Sequence, residues 1–254
     1  MRDFLIHLLR TPDEFPIEIT LFSVWHILYV VLILGVTLFL CLFFQKRSET
    51  AQKRLTDVLA ILPVSLYALD YLAMPLAYGE ISIDKLPFHF CTMLSLLILP
   101  IHFGSGRAVA FWREPITVLA LVTSMMYLCY PGSAIGDVTP FCYHVIQTFL
   151  FHGCVFAYGV LSLSTGKVLL SWKHLWRCAL LILLFIAWAS FGNAAYSSEA
   201  HHFDWCFITG STFPFIPSPL MPLVVLGAVF GLCAAIYAIY FGCRAFSQRK
   251  KTSL

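Results

Sequence analysis

Long apolar runs without charge constrain this chain more than any other feature of its sequence. Residues 21–44 contain no Asp, Glu, Lys or Arg, and comparable runs recur to the end of the chain. A helix that crosses the bilayer core needs about 20 apolar residues, whereas a barrel strand needs only about 9–11. Since lipid tolerates only helices and closed barrels as spanning structures, the runs predict an all-α integral membrane protein.

The composition supports the same class. Only 11% of the 254 residues are charged, compared with about 25% in a typical soluble domain. The chain therefore has too few charges to cover a water-facing surface, which excludes soluble, disordered and coiled-coil proteins. The net charge of +3 comes from clusters at the ends of the apolar runs and not from a basic face, so no nucleic-acid partner is expected.

Hydropathy predicts a seven-transmembrane-helix bundle within one polytopic domain, residues 1–254. Residues 1–20 are too polar to span and are expected to form an interfacial segment. The predicted spans are residues 21–44, 57–78, 86–103, 113–130, 142–164, 173–195 and 218–242.

The distribution of cations predicts an orientation with the N-terminus out and the C-terminus in. Thirteen of the sixteen Lys and Arg residues fall in the segments that follow the first, third, fifth and seventh spans. Positively charged loops stay on the cytoplasmic side. The opposite side has only Arg2, Arg10 and Lys85.

Polar residues in five spans cluster at one depth. Ionisable groups in spans are costly and usually face a cavity, so each of them is a candidate site residue. At 1.5 Å per residue, all of these groups fall in the outer half of the bilayer. A shared cavity that opens outward is the simplest explanation, and its candidate residues are His26, Asp70, His89, Cys91, His144, Gln147, Thr148, His152, Asn193 and Tyr196.

The fifth span shows the most specific pattern. His144, Gln147, Thr148 and His152 share one helical face, which is typical of a helix that faces a cavity. In the third span, a regular helix would place His89 about 200° from Cys91, so these two side chains are not expected to pair.

The segment of residues 197–217 is the longest stretch outside the spans, and it is rich in aromatic residues. It could fold as a lid over the outer mouth or lie at the headgroup level as an interfacial loop. His201, His202, Asp204 and Cys206 are of the types that bind zinc, but their tight spacing is not a zinc motif, so no metal is expected. No cofactor motif is present either.

Four segments resemble the YwaF-like family of integral membrane proteins, whose human counterpart is an acyltransferase that remodels ether phospholipids. Residues 86–93, LPFHFCTM, are similar to the Leu-Pro-x-x-x-Cys signature of that family. Residues 145–153, VIQTFLFHG, are similar to its Gln-x4-His-Gly run. Residues 21–29, LFSVWHILY, resemble its first span, and residues 192–196, GNAAY, match its Asn-bearing sixth span.

The resemblance implies a seven-helix fold, distantly related to the androgen-induced fatty-acid-ester hydrolases, with a catalytic Cys and His. Position by position, these residues are Cys91 and His152. The resemblance also implies phospholipid substrates and a place in the bacterial plasma membrane. Residues 200–207, AHHFDWCF, match no pattern of the family.

A thiolate made by a neighbouring imidazole can attack a lipid ester and form a thioester, which a second lipid hydroxyl then cleaves. Gln147, Asn193 or Tyr196 could donate a hydrogen bond to the oxyanion. The predicted spans separate Cys91 and His152 by about 8 Å in depth, so His144 is an alternative base. The remaining alternatives are a lipid-ester hydrolase with the same pair, a small-solute transporter, and a sensor without turnover. The sequence indicates no oligomeric state.

Overall fold

Seven α-helices carry the fold. The computed structural model describes residues 19–79, 81, 83–135, 139–198, 201–209 and 216–252. The proposed interfacial segment of residues 1–20 lies almost wholly outside them. The helices are α1 (Val24–Phe44), α2 (Glu49–Tyr78), α3 (Phe90–Phe103), α4 (Arg107–Cys129), α5 (Tyr143–Ser164), α6 (Trp176–Tyr196) and α7 (Met221–Thr252).

Six of these helices are long and apolar enough to cross a membrane, which makes the chain a multi-pass membrane protein. α3 is the exception, because its 14 residues extend only about 21 Å at 1.5 Å per residue. The predicted spans thus correspond to observed helices, but the third helix starts four residues later than the sequence predicts.

α4 and α5 form the centre of the bundle. α5 packs against α1, α2 and α4, while α4 also contacts α3, α6 and α7. In the apolar window of α5, 78% of the residues are buried, compared with 11% in α1. The side chains that point from α4 and α5 into the bundle are therefore shielded from lipid, and α1 supplies much of the lipid-facing surface.

Close packing fixes the α4–α5 contact. A Cβ atom added to Gly159 would lie 2.6 Å from Leu121 Cγ and 3.3 Å from the backbone oxygen of Thr117. A larger residue at position 159 would have to push the two central helices apart. Since interiors are packed as densely as organic crystals, such a shift has a cost.

The chain before α3 is irregular but well bonded. Tyr67 and Tyr71 donate hydrogen bonds to the Lys85 carbonyl, Trp188 Nε1 donates to the Pro87 carbonyl at 2.9 Å, and Cys206 Sγ donates to the Phe88 carbonyl at 3.1 Å. Non-helical backbone at membrane depth is tolerated where protein satisfies its polar groups. These side chains allow α3 to begin inside the bundle.

The two ends of the bundle differ in charge. We call the end of the bundle at which α3 begins the Cys91 end, and we call the opposite end the basic end. At the basic end lie the cations of the α1–α2, α3–α4 and α5–α6 connections, together with the last part of α7. Within the parts of the chain that the structure describes, Lys85 is the sole Lys or Arg at the Cys91 end.

A buried carboxylate lies at the basic end. Glu114 is 6% exposed. Ser171 N, Tyr237 Oη and His174 Nδ1 each donate a hydrogen bond to its carboxylate at 2.7 Å. These three donors come from the α5–α6 connection and from α7, and they replace the water that the carboxylate loses on burial.

Candidate functional site

The thiol of Cys91 sits in the first turn of α3. The helix begins at Phe90, and its N-cap residue, His89, makes no side-chain capping bond. The Cys91 side chain is half-buried and lies beside the hydroxyl of Thr123 on α4.

The imidazole of His152 is buried on α5, with 7% exposure. Its Nδ1 donates a hydrogen bond to the carbonyl oxygen of Thr148 at 2.8 Å. Since Nδ1 carries the proton, Nε2 retains its lone pair in the neutral ring and can act as a base. Thr148 therefore contributes its backbone to the site, while its hydroxyl donates to Gln147 Oε1 at 3.1 Å.

α4 connects the thiol to the imidazole. The Tyr127 ring stacks on the His152 ring, with centroids 3.4 Å apart and planes 4° apart. The hydroxyl of Tyr127 is close enough to the Cys91 thiol for the two groups to interact electrostatically. Thr123 and Tyr127 are i, i+4 neighbours on one face of α4, so this single face contacts both Cys91 and His152. In the part of the chain that the structure describes, Cys91 and His152 share no direct hydrogen bond.

His89 does not lie in a regular helix, which the angle predicted from the sequence assumed. Its backbone is extended (φ −81°, ψ 145°) because it precedes the helix, so the helical angle of 200° to Cys91 does not apply to it. The side chain is exposed and within electrostatic range of His152. His89, Cys91 and His152 therefore belong to one region of the bundle.

The remaining predicted residues surround this region and bind to backbone or to each other. His26 is engaged at both ring nitrogens, since Phe22 N donates to Nδ1 at 3.0 Å and Nε2 donates to the Leu128 carbonyl at 2.9 Å. His144 Nε2 donates to the Ser133 carbonyl, in the connection between α4 and α5, at 2.9 Å. Gln147 Nε2 donates to the Leu66 carbonyl at 3.3 Å. These bonds hold α1, α2 and the α4–α5 connection in place.

Asp70 forms an ion pair that the sequence did not indicate. Its carboxylate is 2.9 Å from Lys85 Nζ, and the Tyr143 hydroxyl donates to its other oxygen at 3.3 Å. Asp70 is buried, and the Lys85 side chain is 23% exposed. The pair links α2 to the irregular segment before α3.

The described part of the 197–217 segment, residues 201–209 and the flanking residues, packs over the start of α3. Trp205 is 2% exposed. The backbone N–H of Trp205 donates to Asn193 Oδ1 at 2.9 Å, and Asn193 Nδ2 donates to the Trp205 carbonyl at 3.4 Å. The Asn193 amide is thus committed to this segment, and Tyr196 contacts the rings of Phe88 and Trp205.

The thiol of Cys206 belongs to the same segment that packs over the start of α3. Burial raises the pKa of Cys206, which keeps it a neutral donor to the Phe88 carbonyl. Cys206 and Phe207 have left-handed backbones, with φ of 63° and 56°. Such values are strained for non-glycine residues and persist where surrounding contacts hold them. Among the residues that the structure describes, no three His, Cys, Asp or Glu side chains are placed to hold a metal ion.

Sequence reasoning missed Thr123, Tyr127 and Lys85. The first two lie in the outer half of the fourth span, where no ionisable group attracts attention. Their i, i+4 spacing is a polar stripe of the kind seen in α5, and it could have indicated that α4 also faces the site.

The fold and the site together define a class: a multi-pass α-helical membrane protein with a thiol and an imidazole held near one end of its bundle. Within that class, the chain belongs to the TMEM164 family, whose family model matches residues 21–240. Neither the curated proteins nor the solved structures contain a match to the chain.

Proposed function

We propose that the protein is an acyltransferase that moves an acyl chain between membrane phospholipids through a thioester on Cys91. The observation that carries the proposal is the contact of one face of α4 with both the Cys91 thiol and the His152 ring. The proposed location is the bacterial plasma membrane, with seven crossings, the N-terminus outside and the C-terminus inside.

In the first half-reaction, His152 Nε2 takes the proton from the Cys91 thiol. The thiolate attacks the ester carbonyl of a donor lipid, and the negative charge moves to the carbonyl oxygen. When the C–O bond breaks, His152 returns the proton to the departing lysolipid oxygen. The acyl chain is then held as a thioester on Cys91.

In the second half-reaction, His152 takes the proton of an acceptor lipid hydroxyl, which attacks the thioester carbonyl. The Cys91 thiolate leaves and regains the proton. Water in place of the lipid hydroxyl would make the protein a hydrolase, so the identity of the product distinguishes these two functions.

The oxyanion donors that we propose are the backbone N–H groups in the first turn of α3, which have no partner within the helix. Those of Phe90 and Cys91 lie beside the sulfur atoms of Cys206 and Cys91. Of the donors expected from the sequence, Gln147 and Asn193 bind the carbonyls of Leu66 and Trp205, and Tyr196 packs against the rings of Phe88 and Trp205. A single oxyanion donor is worth about 3–4 kcal/mol in transition-state stabilisation.

The test uses purified full-length protein in lipid nanodiscs with an isotope-labelled donor phospholipid and an unlabelled lysophospholipid acceptor. We expect Cys91→Ala to reduce acyl exchange by at least about 10³-fold. Intact-mass analysis should show an added acyl group, labile to hydroxylamine, on the wild type. Cys41→Ala is the matched control, since Cys41 is a buried thiol in a membrane helix that contacts Ser164 and not the proposed site.

Acyl exchange that survives Cys91→Ala would remove the nucleophile and the proposal with it. A labelled free fatty acid as the product in place of labelled phospholipid would favour the hydrolase. Solute flux into proteoliposomes that depends on Asp70 but not on Cys91 would favour a transporter.

A further inference from the structure

The ring of Tyr127 is in direct contact with the proposed base. It lies flat on the imidazole of His152, and the ring of Phe149 packs edge-on against the Tyr127 ring at 6.0 Å. Phe151, the neighbour of His152 in α5, packs edge-on against His152 at 5.0 Å. The imidazole therefore contacts two aromatic rings, one on α4 and one on α5.

One hydrogen bond alone does not fix the orientation of His152. The bond from Nδ1 to the Thr148 carbonyl leaves the ring free to tilt about that bond, because terminal torsions of aromatic rings are broad. A second ring stacked face to face removes this freedom. The direction of Nε2, on which any proton transfer depends, is then set by Tyr127.

The hydroxyl of Tyr127 extends this restraint to the connection between α4 and α5, to which Ser133 belongs. It lies 3.2 Å from Ser133 Oγ, and the Ser133 carbonyl accepts the bond from His144 Nε2. The Tyr127 ring is therefore held at its hydroxyl as well as by its stacking on His152.

We propose that Tyr127 is the positioning residue of His152. This inference rests on the proposed function. In it, the stacked ring aligns Nε2, and the hydrogen bond to Ser133 holds that ring to the α4–α5 connection. Tyr127 itself exchanges no proton.

The test compares three variants in the acyl-exchange assay. Tyr127→Leu removes the stacked ring, Tyr127→Phe keeps the ring but loses the hydroxyl, and Ser133→Ala loses the same hydrogen bond from its other side. We expect Tyr127→Leu to lower kcat about 10–100-fold with KM changed less than about 3-fold, since misplacement by about 1 Å can cost 10²-fold. Tyr127→Phe and Ser133→Ala should each recover kcat to within about 3-fold of the wild type, in keeping with the loss of one weak hydrogen bond. Tyr130→Leu is the control, as Tyr130 directly follows α4 and is 52% exposed.

A second measurement does not depend on turnover. Diethyl pyrocarbonate modifies imidazole rings, and mass spectrometry gives the rate at His152. We expect this rate to increase about 10-fold in Tyr127→Leu if the ring is the restraint, and to stay at the wild-type value in Tyr130→Leu; a 10-fold change corresponds to about 1.4 kcal/mol.

The outcomes separate the two proposals. An unchanged modification rate and an unchanged kcat in folded Tyr127→Leu would overturn the positioning role. An equal loss of kcat in Tyr127→Phe and Tyr127→Leu would overturn it as well, because the hydroxyl would then take part in the chemistry. If Cys91→Ala retained exchange, the proposed function would fail, while the modification rates would still decide whether Tyr127 restrains His152.

Discussion

The two ends of the bundle use the same kinds of side chain in different ways. At the basic end, the carboxylates are held by several donors each: Glu114 by three, and Asp57 by Lys53 Nζ and His102 Nε2, both at 2.7 Å. At the Cys91 end, the thiol is only half-buried, His89 is exposed and His152 uses one ring nitrogen for a hydrogen bond.

This difference indicates which polar residues serve the fold and which remain available for chemistry. A buried charge with all of its hydrogen bonds made stabilises the fold, but it has no free atom that could bind a substrate. An imidazole with one bonded nitrogen is oriented and still able to accept a proton. The comparison predicts that substitutions of fully partnered groups such as Glu114 change stability, and that substitutions of Cys91 and His152 change activity.

His152→Gln should give the largest effect. The glutamine can keep a hydrogen bond to the Thr148 carbonyl but offers no base. We expect kcat for acyl exchange to fall about 10²–10⁴-fold, the usual contribution of a general acid–base group. The unfolding midpoint in detergent, followed by circular dichroism, should change little. A large loss of stability with normal kcat would contradict the comparison.

Glu114→Ala tests the opposite end. Removing this carboxylate leaves His174, Tyr237 and the Ser171 N–H without their shared partner. Leaving a buried hydrogen-bond donor without its partner costs about 1–3 kcal/mol. We expect a much lower unfolding midpoint but an unchanged kcat per folded molecule. If kcat fell while the midpoint stayed the same, the two ends would not be functionally distinct.

Gly192→Ala tests how the Cys91 end is held in place. An added Cβ would lie 2.5 Å from the ring of Phe88, which is two residues before the start of α3. Overpacking of this kind costs about 1–3 kcal/mol, and the displaced Phe88 should carry the first turn of α3 with it. We expect faster alkylation of Cys91 by iodoacetamide together with a reduced kcat. Gly35→Ala is the control, since its Cβ would meet nothing within 4 Å.

Lys53→Gln should give the smallest effect. Lys53 pairs with Asp57 across one helical turn at 2.7 Å, but its side chain is 64% exposed. Exposed pairs of this type contribute about 0.3–0.5 kcal/mol. The midpoint should shift slightly at low salt and not at all at high salt, with kcat unchanged. A shift that persists in high salt would indicate a more buried pair than the structure has.

Much of the fold is predictable from the sequence, because a spanning helix needs only a sufficiently long apolar run. The predicted spans at residues 21–44 and 142–164 correspond closely to Val24–Phe44 and Tyr143–Ser164. The polar stripe on α5 is equally local, since residues three and four apart share a face in any helix. The roles of Cys91 and His152 stay predictions that the proposed experiments address.

The start of α3 shows where local reasoning ends. The sequence places it at residue 86, yet the helix begins at Phe90. Tyr67, Trp188 and Cys206 bind the carbonyls that a helical turn would otherwise satisfy. None of these donors is near in sequence to the carbonyl that it binds, so no local pattern reveals the exchange.

The sequence by itself determined the number and approximate place of the α-helices in the described residues, since these follow from hydropathy and from the length of each apolar run. Only the tertiary structure decided that Asn193 binds Trp205, that Lys85 pairs with Asp70, and that Tyr127 stacks on His152. The physical reason is that a side chain's partner depends on how helices distant in the chain pack and rotate against each other. Periodicity fixes the direction of a residue within its own helix, but not what it meets there.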